Sequence, residues 1–69
     1  MAESVYKIVE LVGTSEKGWE DAVNNIVVKA AEHLRDIRIV EVLTLDVEVD
    51  NQKIALFRAR VRLSFKFEK

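Results

Sequence analysis

The sequence predicts an α+β domain in which one helix packs on a three-stranded antiparallel sheet, in the order strand, helix, strand, strand (β-α-β-β). Three observations predict it: an N-terminal run of β-branched residues, a segment with apolar residues three and four positions apart, and two long alternating segments. The 69 residues include no proline and only two glycines, so nothing marks an internal linker. We therefore expect a single domain over residues 1–69.

The first strand is predicted over Val5–Val12, a run rich in β-branched residues, and Gly13 is expected to end it. The next residues, Thr14–Glu16, are typical of a helix start, where the hydroxyl of Thr14 or Ser15 can cap free backbone N–H groups. Acidic residues suited to the positive end of the helix dipole are Glu16, Glu20 and Asp21.

A helix is predicted from there to about Arg35–Asp36. One apolar stripe at helical spacing is expected to face the core, and it consists of Trp19, Val23, Ile26, Val27, Ala30 and Leu34. His33 is expected on the surface near the helix C-terminus, where a positive charge is favourable. Trp19, near the helix start, is expected to be a packing or interface residue.

The second strand is predicted to begin at Ile37, but its apolar phase changes within the strand. Val40 and Val42 flank Glu41, whereas downstream Leu43 and Leu45 flank Thr44. A β-bulge near Val42–Leu43 resolves the conflict. It places on one polar face Ile39, Glu41, Thr44, Asp46 and Glu48.

The third strand follows a predicted three-residue loop, residues 50–52, whose odd length brings the apolar faces of the two strands together. Its apolar face comprises Ala55, Phe57, Ala59, Val61, Leu63, Phe65 and Phe67. Its opposite face comprises Arg58, Arg60, Arg62, Ser64 and Lys66. This second face coincides with the polar face of the second strand, so cross-strand charge pairs can form.

Size and strand length predict self-association. A domain this small usually needs disulfides, a metal or neighbouring subunits, and the chain has no cysteine and one histidine, which leaves neighbouring subunits or an unusually well packed monomer. Strands of about 12 residues also extend beyond what a helix of about 20 residues covers. We therefore expect a homo-oligomer whose exposed strands contact other copies.

Composition and charge exclude several classes of function. The net charge of −1 gives no attraction to nucleic acid or an anionic membrane, and no apolar run is long enough to span a bilayer. The start of the chain, Met1–Ser4, lacks the features of a signal peptide, so the cytoplasm is the expected location. No nucleophile–base pair, phosphate-binding glycine loop or metal-ligand spacing is present, so an enzyme is not expected.

Two charged groups on the predicted polar face have alternative interpretations. The basic row Arg58, Arg60, Arg62 and Lys66 suits phosphate-bearing ligands or single-stranded nucleic acid, or else it forms salt bridges with Asp46, Glu48 and Glu41. Salt bridging is favoured because this face carries no aromatic residue for base stacking. The acidic set Asp46, Glu48 and Asp50 is a candidate site for a hard cation such as calcium, or else it pairs with the same arginines.

The sequence resembles the dodecins over nearly its whole length. The resemblance rests on Val9–Glu16 (V-E-L-V-G-T-S-E) before a helix, on Leu34–Ile37 leading into a strand with Glu41–Val42, and on a last strand ending Ser64–Lys66. It implies a sheet partly wrapped around the helix and a hollow homododecamer built from four trimers. It also implies flavin storage or buffering rather than catalysis, with riboflavin or FMN stacked in pairs at subunit interfaces, and some bacterial members bind coenzyme A.

Two positions matching the family's flavin site depart from its pattern. Flavin-binding members carry a tryptophan where this chain has Ile39, and a ring-binding glutamine where it has Arg58. Isoleucine offers no aromatic stacking, and arginine supplies donors but no acceptor. Ile37–Ile39 and Phe57–Arg58 are more similar to the calcium-dodecin subgroup. The resemblance therefore implies weak or absent flavin binding, with a calcium-binding or purely structural shell as the alternative.

Overall fold

The computed structural model describes residues 4–67 and confirms the predicted order of elements. The chain forms strand β1 (Tyr6–Ser15), helix α1 (Trp19–Ala31), strand β2 (Ile37–Asp50) and strand β3 (Lys53–Lys66). Strand β3 lies in the centre of the sheet, with β1 and β2 antiparallel on either side. Residues 1–3, on which part of the signal-peptide argument rests, lie outside the described residues.

Strand β1 does not end at Gly13, so that prediction is wrong. The strand continues to Ser15, and Gly13 pairs with Ala59 of β3. A Cβ atom at this position would overlap Cγ1 of Ile26 and lie 2.7 Å from the backbone oxygen of Ala22. Gly13 is therefore required by the close approach of α1 to β1 and not by chain reversal.

The helix also begins later than predicted, and neither Thr14 nor Ser15 is its N-cap. Gly18 occupies the N-cap position, without a side-chain cap. The Ser15 hydroxyl accepts hydrogen bonds from the backbone N–H groups of Lys17 (2.8 Å) and Gly18 (3.4 Å), and donates one to Asp21 Oδ2 at 2.7 Å. Ser15 thus organises the turn that leads into the helix. Glu16 precedes the helix, whereas Glu20 and Asp21 lie in its first turn as predicted.

The helix ends at Ala31, earlier than the predicted Arg35–Asp36. The backbone N–H groups of His33 and Leu34 both donate to the carbonyl of Ala30, which closes the last turn. Asp36 then adopts a left-handed conformation (φ 57°) immediately before β2. His33 is exposed beyond the helix end, as expected for a surface residue.

The core lies between α1 and the two strands that the helix covers, β1 and β3. Its fully packed residues are Ala22, Ile26, Ala30, Ala59, Val61 and Leu63. Ala22 lies at the centre of the buried face although the predicted stripe omitted it, whereas Trp19 keeps 39% of its surface exposed. The alanines of α1 and β3 have small side chains, which let the helix and the strand approach closely.

The predicted β-bulge is confirmed. Val42 pairs with Val61 and Thr44 pairs with Arg60, so Leu43 is the extra residue on β2. The shift places Ile39, Glu41, Thr44, Asp46 and Glu48 on the same side of the sheet, as the phase change in the sequence predicts.

The prediction of a three-residue hairpin loop is wrong. Asp50 pairs with Lys53, leaving a two-residue turn in which Asn51 and Gln52 have φ of 57° and 66°. Two left-handed residues match the twist of the strands, as in type I′ turns. The apolar faces coincide because of a further shift: Glu48 pairs with Leu56 and Val49 with Ile54, so Ala55 is the extra residue on β3.

Candidate functional site

The side of the sheet that faces away from α1, which we call the outer face, carries the candidate site residues. Strand register arranges them in rows across β1, β3 and β2. In order along β3, the rows are Ile8–Ser64–Ile39, Glu10–Arg62–Glu41, Val12–Arg60–Thr44 and Thr14–Arg58–Asp46. Every second residue of β3 packs against the helix. The polar residues between them point to the other side of the sheet and form the rows.

The shortest ion pair of the outer face joins Arg58 and Asp46. Arg58 Nε lies 2.8 Å from Asp46 Oδ1 and Arg58 Nη2 lies 3.0 Å from Oδ2, so the contact is bidentate. This hydrogen bonding lowers the pKa of the Asp46 carboxyl below its usual range and raises the pKa of Arg58. Both side chains are about half exposed, so water screens the pair.

The other two arginines of the row contact carboxylates on neighbouring strands, Arg62 on both β1 and β2 and Arg60 on β1. Arg62 Nη2 lies 3.4 Å from Glu10 Oε2, and Arg62 Nη1 lies 3.7 Å from Glu41 Oε1. Arg60 Nε lies 3.7 Å from Glu10 Oε1. Salt bridging of the arginine row to Asp46 and Glu41 is therefore confirmed. The negative charge of Glu48 also helps to raise the pKa of Arg58.

Sequence reasoning missed Glu10 as a member of this network. Glu10 is the single carboxylate of β1, in phase with Ile8 and Val12. It meets Arg62 only because β1 pairs with β3 and not with β2. The available signal was an acidic residue with two apolar residues on each side, but its partner depended on the strand order.

A surface depression of about 290 Å³ lies beside the Arg58–Asp46 pair. Its lining consists of Val12, Thr44, Asp46, Arg58 and Arg60. Two guanidinium groups, one carboxylate, one hydroxyl and one apolar wall therefore meet at a cavity large enough for a small chemical group.

Ile39 and Arg58, the positions matching the family's flavin site, both lie on the outer face but not together. Ile39 is 63% exposed beside Ser64, whereas Arg58 pairs with Asp46. At about 3.3 Å per residue, the β3 segment from Arg58 to Ser64 places the two side chains about 20 Å apart within one subunit. A ligand contacting both residues would need a second subunit.

The acidic set Asp46, Glu48 and Asp50 does not converge within one subunit. Both carboxylate oxygens of Asp46 are engaged by Arg58, Glu48 is opposite Leu56, and Asp50 is opposite Lys53. Over residues 4–67, no three potential metal-ligating side chains (His, Cys, Asp or Glu) are grouped closely enough to hold an ion. Calcium binding by this set stays a prediction that requires neighbouring copies.

Trp19 links the helix start to strand β2. Its indole Nε1 donates a hydrogen bond to the backbone oxygen of Asp46 at 3.0 Å. The ring packs edge-to-face on Phe57, with centroids 5.2 Å apart. The packing role predicted for Trp19 is confirmed.

Part of the helix-facing side of the sheet lies beyond the helix and is exposed. We call this surface the uncovered strip, and it consists of Val42, Leu45, Val49 and Ile54. Val42 and Leu45 pair with the buried residues Val61 and Ala59, so they belong to the apolar side of the sheet. The helix packs on β1 and β3, which leaves the β2 side and the hairpin tip open.

The lowered pKa of Asp46 makes the stability of the fold depend on pH. Its pKa is lower in the folded than in the unfolded chain, so the pair stabilises the fold above about pH 4 and loses its effect as the pH falls further. Asp46→Asn is expected to lower the melting temperature slightly at pH 7 and to differ less from wild type at pH 3. Comparing Asp46→Asn, Arg58→Gln and the double variant at both pH values measures this coupling. Coupling of equal size at the two pH values would contradict the prediction.

Comparison with known proteins decides the family. The Dodecin family model matches residues 5–68. This chain belongs to the dodecin family. It is 36% identical over 63 residues to calcium dodecin of Mycobacterium tuberculosis, covering 91% of this chain and 89% of that protein. It is 33% identical over 64 residues to the dodecin of Thermus thermophilus, covering 93% of each.

Solved dodecin structures share the fold. The dodecin from Streptomyces coelicolor superposes with a TM-score of 0.94 at 30% identity, covering 100% of this chain and 99% of that one. The calcium-chelating antigen calcium dodecin from Mycobacterium tuberculosis superposes with a TM-score of 0.84 at 38% identity, covering 94% and 93%. The predicted family and fold class are thus both confirmed. No helix within residues 4–67 is long and apolar enough to cross a membrane.

Proposed function

We propose that this chain is a homo-oligomeric small-ligand binding and storage protein of the cytoplasm, not an enzyme, and that it assembles as a dodecamer of four trimers. The observation that carries the proposal is the uncovered strip, an exposed apolar surface on a chain related to dodecins along nearly its whole length. Its likeness to full-length dodecin structures supports the same conclusion.

The uncovered strip supports self-association on energetic grounds. A 69-residue domain buries a smaller fraction of its surface on folding than a larger domain does, so each additional buried apolar area matters to its stability. Burial of apolar surface contributes roughly 25 cal/mol per Å². A second copy that covers Val42, Leu45, Val49 and Ile54 removes this surface from water without a disulfide or metal.

Flavin binding at the family site is expected to be weak or absent. Ile39 supplies no ring to stack on riboflavin or FMN, a loss of about 0.5–1.5 kcal/mol for each aromatic pair. Arg58 supplies no acceptor, and its Nε and Nη2 already bond to Asp46. A ligand approaching Arg58 must therefore compete with an internal carboxylate.

A calcium-binding or purely structural shell is the second candidate. Asp46 and Glu48 share the outer face, and a relative 36% identical is a calcium dodecin. In this proposal Asp46, Glu48 and Asp50 contribute to a cation site between copies, because carboxylates from several subunits together supply the oxygens that calcium requires.

Native mass spectrometry of the purified protein tests the assembly and its contents together. Twelve subunits are expected, and a monomer would contradict the proposal. Riboflavin titration then separates the two candidates: little quenching of its fluorescence is expected, whereas strong quenching would identify a flavin-binding member. A rise in melting temperature with calcium, absent with magnesium, would favour the second candidate.

Leu45→Glu tests the uncovered strip itself. A charge placed on a surface that is buried between copies is expected to shift most of the protein to smaller species, because a buried unpaired carboxylate is costly. Size-exclusion chromatography with light scattering measures the shift. Val28→Glu is the matched control, since Val28 is an exposed helix residue outside the strip. If both variants dissociate equally, or if neither dissociates, the assignment of the uncovered strip to a contact between copies is contradicted.

A further inference from the structure

Strand β1 lies at one side of the sheet, where one of its two edges is paired with β3. The backbone N–H of Phe67 donates to the carbonyl of Val5 at 2.7 Å, so the backbone groups of Val5 point towards β3. Because this direction alternates along an antiparallel ladder, the odd-numbered residues of β1 bond to β3 and the even-numbered residues point away from it. We call the unpaired side the β1 edge, and its backbone groups belong to Tyr6, Ile8, Glu10, Val12 and Thr14.

The β1 edge is a template for a strand of another molecule. Ile8 and Val12 are β-branched and more than half exposed, which favours strand pairing. Two copies that join edge to edge in antiparallel fashion engage all five residues of the edge when Glu10 lies opposite its counterpart. In that register the Thr14 carbonyl would accept a hydrogen bond from the N–H of the second copy's Tyr6.

Asn25 of the helix already occupies this carbonyl. Its Nδ2 donates a hydrogen bond to the Thr14 oxygen at 3.0 Å. A groove of about 280 Å³ lies between the helix and the edge at this point, and it is lined by residues 11–14, Asn25, Ile26 and Lys29. The groove leaves open space beside the edge, and the Asn25 side chain reaches the edge from the helix. A strand added here must therefore displace Asn25.

Glu10 places a charge at the centre of the same overlap. Two carboxylates directly opposite each other across a strand pair are destabilising. Within each copy, Arg62 at 3.4 Å and Arg60 at 3.7 Å offset part of the Glu10 charge. The charge alone is therefore an incomplete barrier to pairing, and Asn25 adds a second one.

We propose that Asn25 protects the β1 edge from pairing with a strand of a second copy, so that copies associate through the uncovered strip and not edge to edge. The inference goes beyond the proposed function, on which it rests only in taking the uncovered strip as the contact within the oligomer. Its physical basis is that the Asn25–Thr14 bond must break before a strand can add. One such bond corresponds to roughly a factor of ten in an association constant.

Residue-resolved hydrogen exchange on the intact wild-type oligomer tests whether the edge is free. The backbone N–H groups of Ile8, Glu10 and Val12 are expected to exchange at least about tenfold faster than those of Val9 and Leu11, which bond to β3. Equally slow exchange of both sets would mean that the edge is already paired in the oligomer, and it would overturn the proposal.

Asn25→Ala tests the protection itself. Species larger than the wild-type oligomer are expected at about a tenfold lower protein concentration, measured by sedimentation velocity and light scattering. Asn24→Ala is the matched control, because Asn24 is an exposed neighbour on α1 whose side chain makes no hydrogen bond within residues 4–67. Both substitutions raise helix propensity equally, so a difference between them reports the bond to Thr14.

A second substitution shows whether the larger species form through the β1 edge. Val12→Glu, added to Asn25→Ala, places a carboxylate on the edge strand opposite Arg60. It is expected to restore the wild-type size distribution, because a charge on an edge strand opposes pairing. Larger species that persist in the double variant would contradict the assignment to this edge. If Asn25→Ala does not fold by circular dichroism, Asn25→Ser replaces it, since the shorter side chain also loses the bond to Thr14.

Three results for the single variants would also reject the protection. They are the absence of larger species in Asn25→Ala or its replacement, an equal amount of them in Asn24→Ala, and dissociation of Asn25→Ala into smaller species alone. Native mass spectrometry of the wild type keeps this failure separate from that of the proposed function. Twelve subunits with no effect of Asn25→Ala reject the protection alone, whereas a monomeric wild type that associates only as Asn25→Ala rejects the proposed assembly and supports the protection.

Discussion

Leu63→Ala is expected to lower the free energy of unfolding by about 2–5 kcal/mol. Leu63 is fully buried on the central strand, where it pairs with Val9 of β1 and Val40 of β2. Truncation removes buried methyl groups at the point where both outer strands and the helix meet, and the surroundings can collapse only partly. The total free energy of unfolding of a small domain is about 5–15 kcal/mol, so the loss is a large share of it.

Urea denaturation at one fixed protein concentration measures this change, since stability and assembly are linked. Ile8→Ala is the matched control, because Ile8 is 56% exposed on the outer face and its truncation opens no internal cavity. A loss below about 1 kcal/mol for Leu63→Ala, or an equal loss in both variants, would show that the β3 centre is not the main core.

Gly13→Ala is the second substitution with a large expected effect, a destabilisation of about 1–3 kcal/mol from overpacking. The added methyl group would overlap Ile26 Cγ1 and approach the Ala22 backbone oxygen to 2.7 Å. A rigid helix backbone cannot yield as a side chain can, so α1 must move away from β1. Thermal or chemical unfolding measures the loss.

Gly18→Ala is the control within the same chain. No heavy atom lies within 4 Å of a Cβ built there, and the backbone is extended at φ 164°. A small change is therefore expected. Adding Ile26→Ala to Gly13→Ala should give a loss smaller than the sum of the single losses, because the overlap with the Ile26 side chain is gone and only the close approach to the Ala22 oxygen remains. Additive losses would contradict the steric explanation.

The features that depend on local patterns could be predicted from the sequence. The change of phase around Glu41 predicts a bulge that the structure places at Leu43, because alternation is a property of the strand itself. The polar face follows from the same pattern, and so does its pairing with the arginines. The dodecin resemblance was carried by contiguous residues, and a family match over residues 5–68 confirms it.

The features that depend on tertiary contacts could not be predicted in this way. Gly13 reads as a strand end unless the approach of α1 is known. Ser15 reads as a helix cap, although its hydroxyl is held by Asp21 outside the capping position. Glu10 acquires its role only from the strand order β1-β3-β2. The length of the turn at Asn51–Gln52 also depends on the extra residue Ala55, which the alternation of apolar and polar residues did not reveal.

The two bulges nearest the hairpin have a consequence for how its length can change. Leu43 is the extra residue on β2 and Ala55 is the extra residue on β3, so their offsets cancel at the turn. Deleting Leu43 alone would rotate Asp46 and every later residue of β2 to the opposite side and bury carboxylates against apolar neighbours. Insertions and deletions in this hairpin are therefore tolerable mainly in compensating pairs, one on each strand, so a change of length near Leu43 requires a matching change near Ala55.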